Sequence, residues 1–228
     1  MTGDLDHLQP QFRAIATKSA GERIDWIRQD RWIHYLRADQ ALKQLDELLA
    51  FPPRNRMPCL LLTGAPGMGK THIIEKFVRD HPPAFDEIHG TTRVPVVAMQ
   101  MPPEPLEQDF CEEFLMALGA VIPAGLSLVS LRLRARKFAR QFGLRLLIVD
   151  EIHSMLAGTF RQQRRFLNSL RFLANDLHLP IVCVGTHEAY QALTTDQLAQ
   201  LHAAITCAHP AALPLPSVCA ARSSPWDP

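Results

Sequence analysis

Gly64-Ala65-Pro66-Gly67-Met68-Gly69-Lys70-Thr71 sets three glycines, a lysine and a threonine at a spacing suited to gripping a chain of phosphates. Glycines at 64, 67 and 69 let the backbone curl until successive N–H groups point inward at phosphate oxygens. A helix opening there adds its unsatisfied N–H groups and the positive end of its dipole. Lys70 is placed to reach the β- and γ-phosphates as a point charge, and the Thr71 hydroxyl to hold Mg²⁺. The second constellation is Asp150-Glu151, at the end of the apolar run Leu146–Val149. A carboxylate at the carboxyl end of a central strand, beside a phosphate loop, supplies the other protein contact to Mg²⁺. Glu151, one residue on, suits orienting and deprotonating a water. That favours hydrolysis over transfer to a small acceptor, and the predicted chemistry is ATP to ADP and phosphate.

These groups need strands to carry them. Cys59–Leu62 runs straight into the glycine loop, and a helical pattern over 71–78 runs out of it. Leu146–Val149 is too apolar for a half-exposed strand, so it reads as buried and parallel. Further strands are predicted at 94–99 and 180–184, with helices at 20–32, 38–50, 107–118, 127–142 and 159–177. Ser127 is the N-cap of the fourth helix and Gly143 its stop. Short apolar strands alternating with helices of this length make an α/β chain with a parallel sheet. The ligand then belongs outside the carboxyl ends of the strands. Thr186 ends the strand after the Asp150 one. Two roles suit it: sensing the γ-phosphate or attacking water, or capping the helix from His187.

Composition limits the rest. A chain of 228 residues with 47% hydrophobic content can bury a real core, and a formal charge of +1 announces no global attraction to nucleic acid. Cysteines at 59, 111, 183, 207 and 219 show no metal-ligand spacing and read as reduced, mostly buried thiols of a cytoplasmic protein. Residues 1–20 are polar, with no signal-peptide pattern, and no apolar run is long enough to span a membrane.

Two helices carry arginine stripes. Arg132, Arg136 and Arg140, with Lys137 beside them, mark the fourth; Arg161, Arg164 and Arg165, with Arg171, mark the helix after Asp150-Glu151. Such faces are ordinarily just solvated. They could also follow a DNA phosphate backbone without reading bases, or meet a neighbouring subunit.

Arg56-Met57-Pro58-Cys59-Leu60-Leu61-Leu62, the Gly-Lys-Thr loop, Leu147-Ile148-Val149-Asp150-Glu151-Ile152-His153, and Leu179-Pro180-Ile181-Val182 to Gly185-Thr186 together resemble the TniB-type ATPases of bacterial transposons. These are relatives of the TnsC-type AAA+ transposition regulators. Arg31-Trp32-Ile33 to Arg37-Ala38 shares the likeness, which covers about residues 5 to 200. The resemblance implies an AAA+ P-loop fold, three layers αβα around a parallel sheet, with ATP and Mg²⁺ as ligands. It also implies homo-oligomers on DNA of no fixed sequence, and delivery of a transposase to that target. Lys70 and Thr71 then match the Walker A positions, Asp150 and Glu151 Walker B, and Thr186 sensor 1. A helicase-loader type of adaptor is the alternative function.

The resemblance fades at the end. Relatives of this kind place an Arg-Phe pair after the sensor-1 helix, then a final strand and a helical lid. Here 196–204 contain no arginine, and 201–228 are dominated by Ala, Pro, Ser and Cys. The expected organisation is a helical segment over 1–55, an ATPase core over 56–200 and a tail over 201–228, out of frame or disordered, with the lid missing. Weak turnover and poor oligomerisation are the expected consequences.

Overall fold

The structure, a computed structural model, describes residues 5, 6, 8, 10–29, 32, 34–88, 90–194 and 205–208. It divides into two units, Met1–Tyr35 and Leu36–Pro228. The smaller holds α1 (Pro10–Ala16) and α2 (Ala20–Arg28). A capping box starts α2: Ser19 Oγ accepts from the Glu22 amide, and the Glu22 carboxylate accepts from the Ser19 amide at 3.0 Å. Trp26 meets Phe12 edge-on, ring centroids 5.6 Å apart, which ties the two helices together. The sequence pattern left α1 unassigned because a seven-residue segment carries too little periodicity.

The larger unit opens with α3 (Leu36–Leu49), which the pattern grouped with the N-terminal segment. It packs on α4 instead, burying Ala38, Ala41 and Leu45. Next come β1 (Cys59–Thr63), α4 (Lys70–Asp80), a hairpin of β2 (Ala84–Asp86) and β3 (Thr91–Arg93), then β4 (Val96–Gln100). After these follow α5 (Glu107–Ala117), α6 (Leu128–Gln141), β5 (Leu146–Asp150) and a 3₁₀ turn at Ile152–Ala157. The described chain closes with α7 (Phe160–Leu177), β6 (Ile181–Gly185), α8 (His187–Thr194) and β7 (Ile205–Ala208).

The main sheet runs β4-β5-β6-β1-β7, every pairing parallel. Alternation splits its residues between two cores. Leu61, Val97, Met99, Leu147, Val149, Ile181 and Cys183 join the core under α5, α6 and α7. Leu60, Leu62, Ile148, Val182 and Val184 point the other way and are also buried, on the side of Ile73, Ile74 and Phe77 of α4. Burial pushes the Cys111 thiol up to about 12 and drives Cys183 up as well, so both stay protonated among apolar neighbours.

Local signals hold the helices in place. Ser127 accepts from the Ser130 amide to cap α6, and Gly143 with φ +61 turns the chain out of it. Thr159 and Gln162 form a capping box for α7. Two strand features depart from the sequence expectation. The β2–β3 hairpin occupies what read as a polar connection, pinned by Arg93 to Asp86 at 2.8 Å. Ile205–Ala208, assigned to the tail, pairs with Cys59–Leu62 as the fifth strand. Four residues carry no readable period, and what recruits them is the otherwise unpaired edge of β1.

Leu131 of α6 lies at 0% exposure in the core shared by α5, α6 and α7. Leu131→Ala is expected to lower the unfolding free energy by about 2–5 kcal/mol, read by urea denaturation.

Candidate functional site

Because β6 lies between β5 and β1, the ends of three adjacent strands deliver the glycine loop, Asp150-Glu151 and Gly185-Thr186 to one edge of the sheet. Within the loop Gly67 and Gly69 take φ +75 and +76, a conformation that a side chain would resist. Gly69 is the N-cap of α4, so the helix opens directly on the loop. Gly64 donates its amide to Gly185 O at 3.3 Å, tying the base of the loop to the end of β6.

Across this edge the Thr71 hydroxyl donates to Asp150 Oδ2 at 2.8 Å, joining residues 79 apart in sequence. The other carboxylate oxygen, Oδ1, accepts from the Glu151 amide at 2.8 Å. Asp150 is thus oriented at both oxygens. Lys70 Nζ curls back to donate to Gly64 O and Ala65 O, each at 3.0 Å. Glu151 adopts φ +54, an uncommon left-handed conformation for a residue with a side chain. Its Oε2 lies 3.1 Å from His153 Nε2.

A cavity of about 340 Å³ sits here, lined by the loop from Pro66 to Thr71, by Glu151 and by Thr186. That volume falls within the range of small-molecule sites. The Thr186 hydroxyl is buried and makes no hydrogen bond, so it does not cap α8, whose first turn uses the Thr186 carbonyl at 3.4 Å from the Tyr190 amide. Of its two expected roles, the polar contact toward the cavity is the one still open to it. Thr71 and Asp150 together offer a hydroxyl and a carboxylate, the hard oxygen donors that Mg²⁺ takes alongside phosphate oxygens and waters. The donor set fits the ion.

Lys70, Thr71, Asp150, Glu151 and Thr186 therefore lie together at this edge, with Gly64, Ala65, Pro66, Gly67, Met68 and Gly69. One neighbour was missed. His153 sits two residues after Glu151 in an otherwise apolar stretch, and a single histidine there gave no spacing signal. The stretch 196–204, where relatives place an Arg-Phe pair and this sequence has no arginine, lies outside the described residues.

The arginine stripes separate into two groups. Arg132 grips both carboxylate oxygens of Glu107. Arg136 reaches Asp176 at 3.6 Å and lies over the Phe172 ring, and Arg140 donates to Asp176 Oδ2 at 2.7 Å. All three tie α6 to α5 and α7, a structural use that competes with any phosphate contact. Lys137, Arg161 and Arg165 are exposed, as is Arg164, which has an interaction of its own. Burial pushes the Glu107 carboxyl up, but hydrogen bonds from Arg132 and Ser169 and the guanidinium charge outweigh it and hold the group below its ordinary value.

Residues 23–205 match the family model described as bacterial TniB protein. Among solved structures, the chain is similar to the Aeropyrum pernix ORC1 protein in complex with DNA, at 19% identity and a TM-score of 0.54, covering 81% of this chain and 47% of that one. Cdc6p from Pyrobaculum aerophilum gives 18% identity and a TM-score of 0.52, over 80% and 48%. The Aeropyrum pernix ORC2 protein gives 15% and 0.53, over 79% and 49%. The chain spans about half the length of these structures, and at such identities the likeness is one of fold: the AAA+ P-loop ATPase fold. No curated protein matches the chain.

Two outcomes follow from this geometry. A Cβ on Gly185 would lie 2.8 Å from Ile152 Cγ2, so Gly185→Ala is expected to cost about 1–3 kcal/mol in chemical denaturation. The Glu107–Arg132 pair contributes stability that is present above the ordinary carboxylate range and lost as pH falls through the lowered Glu107 value. Glu107→Gln should therefore flatten part of the acid limb of the stability-against-pH curve.

Proposed function

The chain belongs to the TniB family, and from that membership and the geometry of its site we propose that it binds ATP with Mg²⁺, hydrolyses ATP, and regulates DNA transposition. The observation that carries the nucleotide reading is the 2.8 Å contact between Thr71 and Asp150 beside the lysine-bearing loop. In this reading the loop amides from Gly67 to Thr71 bind phosphate oxygens. Lys70 exchanges its two carbonyl acceptors for anionic oxygens, which hold a cation more strongly. Thr71 and Asp150 would hold Mg²⁺, which when bound would supply positive charge against the phosphate oxygens. Glu151 accepts the proton of the attacking water, and the free Thr186 hydroxyl donates to the γ-phosphate or to that water.

Family membership supports the wider role: assembly of several copies on target DNA and delivery of a transposase to it. Lys137 on α6, and Arg161 and Arg165 on α7, are the exposed cations we assign to the DNA phosphates. Among the described residues no helix is long and apolar enough to cross a membrane.

Lys70→Ala is expected to abolish binding of a fluorescent ATP analogue. Glu151→Gln should retain binding while turnover falls by about 10²–10⁴. Equal turnover in wild type and Glu151→Gln would refute the hydrolytic role. For DNA, replacing Arg161 and Arg165 by Gln should lower the slope of log affinity against log salt by about 2. Arg132→Gln should leave that slope unchanged and lower stability instead. The opposite pattern would move the DNA surface to α6.

A further inference from the structure

We propose that His153 is a positioning residue for Glu151: its Nε2–H holds one carboxylate oxygen and leaves the other to receive the proton of water. The proposal rests on the ATP-hydrolysis reading and assigns that site an element it lacked. Two atoms define it, His153 Nε2 and Glu151 Oε2, 3.1 Å apart at the cavity wall. The other ring nitrogen, Nδ1, is buried and has no hydrogen-bond partner. A carboxylate oxygen can only accept, so a polar contact from the imidazole to Glu151 requires the hydrogen on Nε2.

The backbone makes such a clamp useful. Glutamate has three rotatable side-chain bonds, and a general base must hold its reacting oxygen within hydrogen-bond reach of one water. Glu151 leaves the strand at φ +54, which aims its side chain away from the course a regular strand would give it. His153 follows in the 3₁₀ turn, whose start is pressed against the end of β6. Gly185 leaves just the room needed there, since a Cβ would come within 2.8 Å of Ile152 Cγ2 and 3.6 Å of the His153 amide. The imidazole is therefore carried on a backbone held from the core side, and it can hold in place a carboxylate that backbone geometry alone leaves free to rotate.

The test compares steady-state ATP hydrolysis by the full chain with Mg²⁺ and duplex DNA for wild type, His153→Ala, His153→Met, His153→Gln, Glu151→Gln, and the Glu151→Gln/His153→Ala pair. Affinity for a fluorescent ATP analogue is measured alongside. Met keeps the bulk without a donor, and Gln can place an N–H where Nε2 stood. Expected are a kcat lowered about 10²-fold in the Ala and Met variants, analogue affinity within about two-fold of wild type, and recovery of most of the loss in His153→Gln. The double variant should be no slower than Glu151→Gln alone, because the clamp then has no base to place. If His153→Ala does not fold, the Met and Gln variants decide the matter by the same criterion. Unchanged or raised kcat in the variants without a donor overturns the proposal, as does a loss confined to nucleotide affinity. A wild type that binds the analogue but is no faster than Glu151→Gln overturns the hydrolysis reading itself, and the positioning role with it. An active wild type beside equally active His153 variants overturns the positioning role alone.

Discussion

Everything at the site depends on bringing the Thr71 hydroxyl within 2.8 Å of Asp150 across the width of an intervening strand. A hydrogen bond of this kind contributes about 1 kcal/mol net, too little to organise a sheet. The organising energy is apolar. Leu146, Leu147, Ile148 and Val149 are all at 0% exposure, and burying each contributes roughly 1.5–3 kcal/mol. Their burial on both faces sets β5 inside the sheet, and register with β6 and β1 brings Asp150 level with the glycine loop. The apolar strand places the acid, and the hydroxyl selects its orientation. A polar residue within Leu146–Val149 would therefore damage the site from a distance.

The arginines show how one residue type serves two ends. On a helical wheel, Arg132, Arg136 and Arg140 form a single basic face, and sequence spacing cannot say what that face meets. Their partners lie far along the chain, Glu107 25 residues before Arg132 and Asp176 36 residues after Arg140. Only packing α6 between α5 and α7 brings these charges together. Exposed pairs of this sort contribute little individually. The forked Arg132–Glu107 contact adds direction as well as charge, because two parallel donors fit one carboxylate in a single geometry. What read as a candidate DNA surface on α6 is in large part a set of struts between helices, with Lys137 as the exception.

Legibility followed the range of the signal. The glycine loop, the strand ending in Asp150-Glu151 and the caps of α6 and α7 are local, because each is specified by fewer than ten consecutive residues whose chemistry points one way. Those features were readable, and with them the fold class and the convergence of Lys70, Thr71, Asp150 and Glu151. The hairpin Ala84–Asp86 with Thr91–Arg93 has three-residue strands, below the length at which alternation can be seen. Strand β7 owes its pairing to β1, more than 140 residues earlier, and its own residues announce nothing. His153 escaped for a related reason: its meaning comes from the unusual backbone of Glu151, and a left-handed φ at a glutamate has no counterpart in residue type.

That left-handed residue also shows how the work is divided at the site. A non-glycine residue at positive φ costs about 1–2 kcal/mol and persists where its surroundings over-determine it. Here the Asp150 carboxylate holds the Glu151 amide, and Ile152 and Met155, both at 0% exposure, anchor the following turn in the core. The frame of Asp150 and Glu151 is consequently rigid. Lys70 is different, since its two acceptors are carbonyls of its own loop and its stem is free to swing. A triphosphate entering the cavity would have to displace only those two neutral acceptors, and it would replace them with anionic ones. Adjustment at the loop thus falls to one flexible cation, while the backbone that carries Asp150 and Glu151 stays fixed by the core.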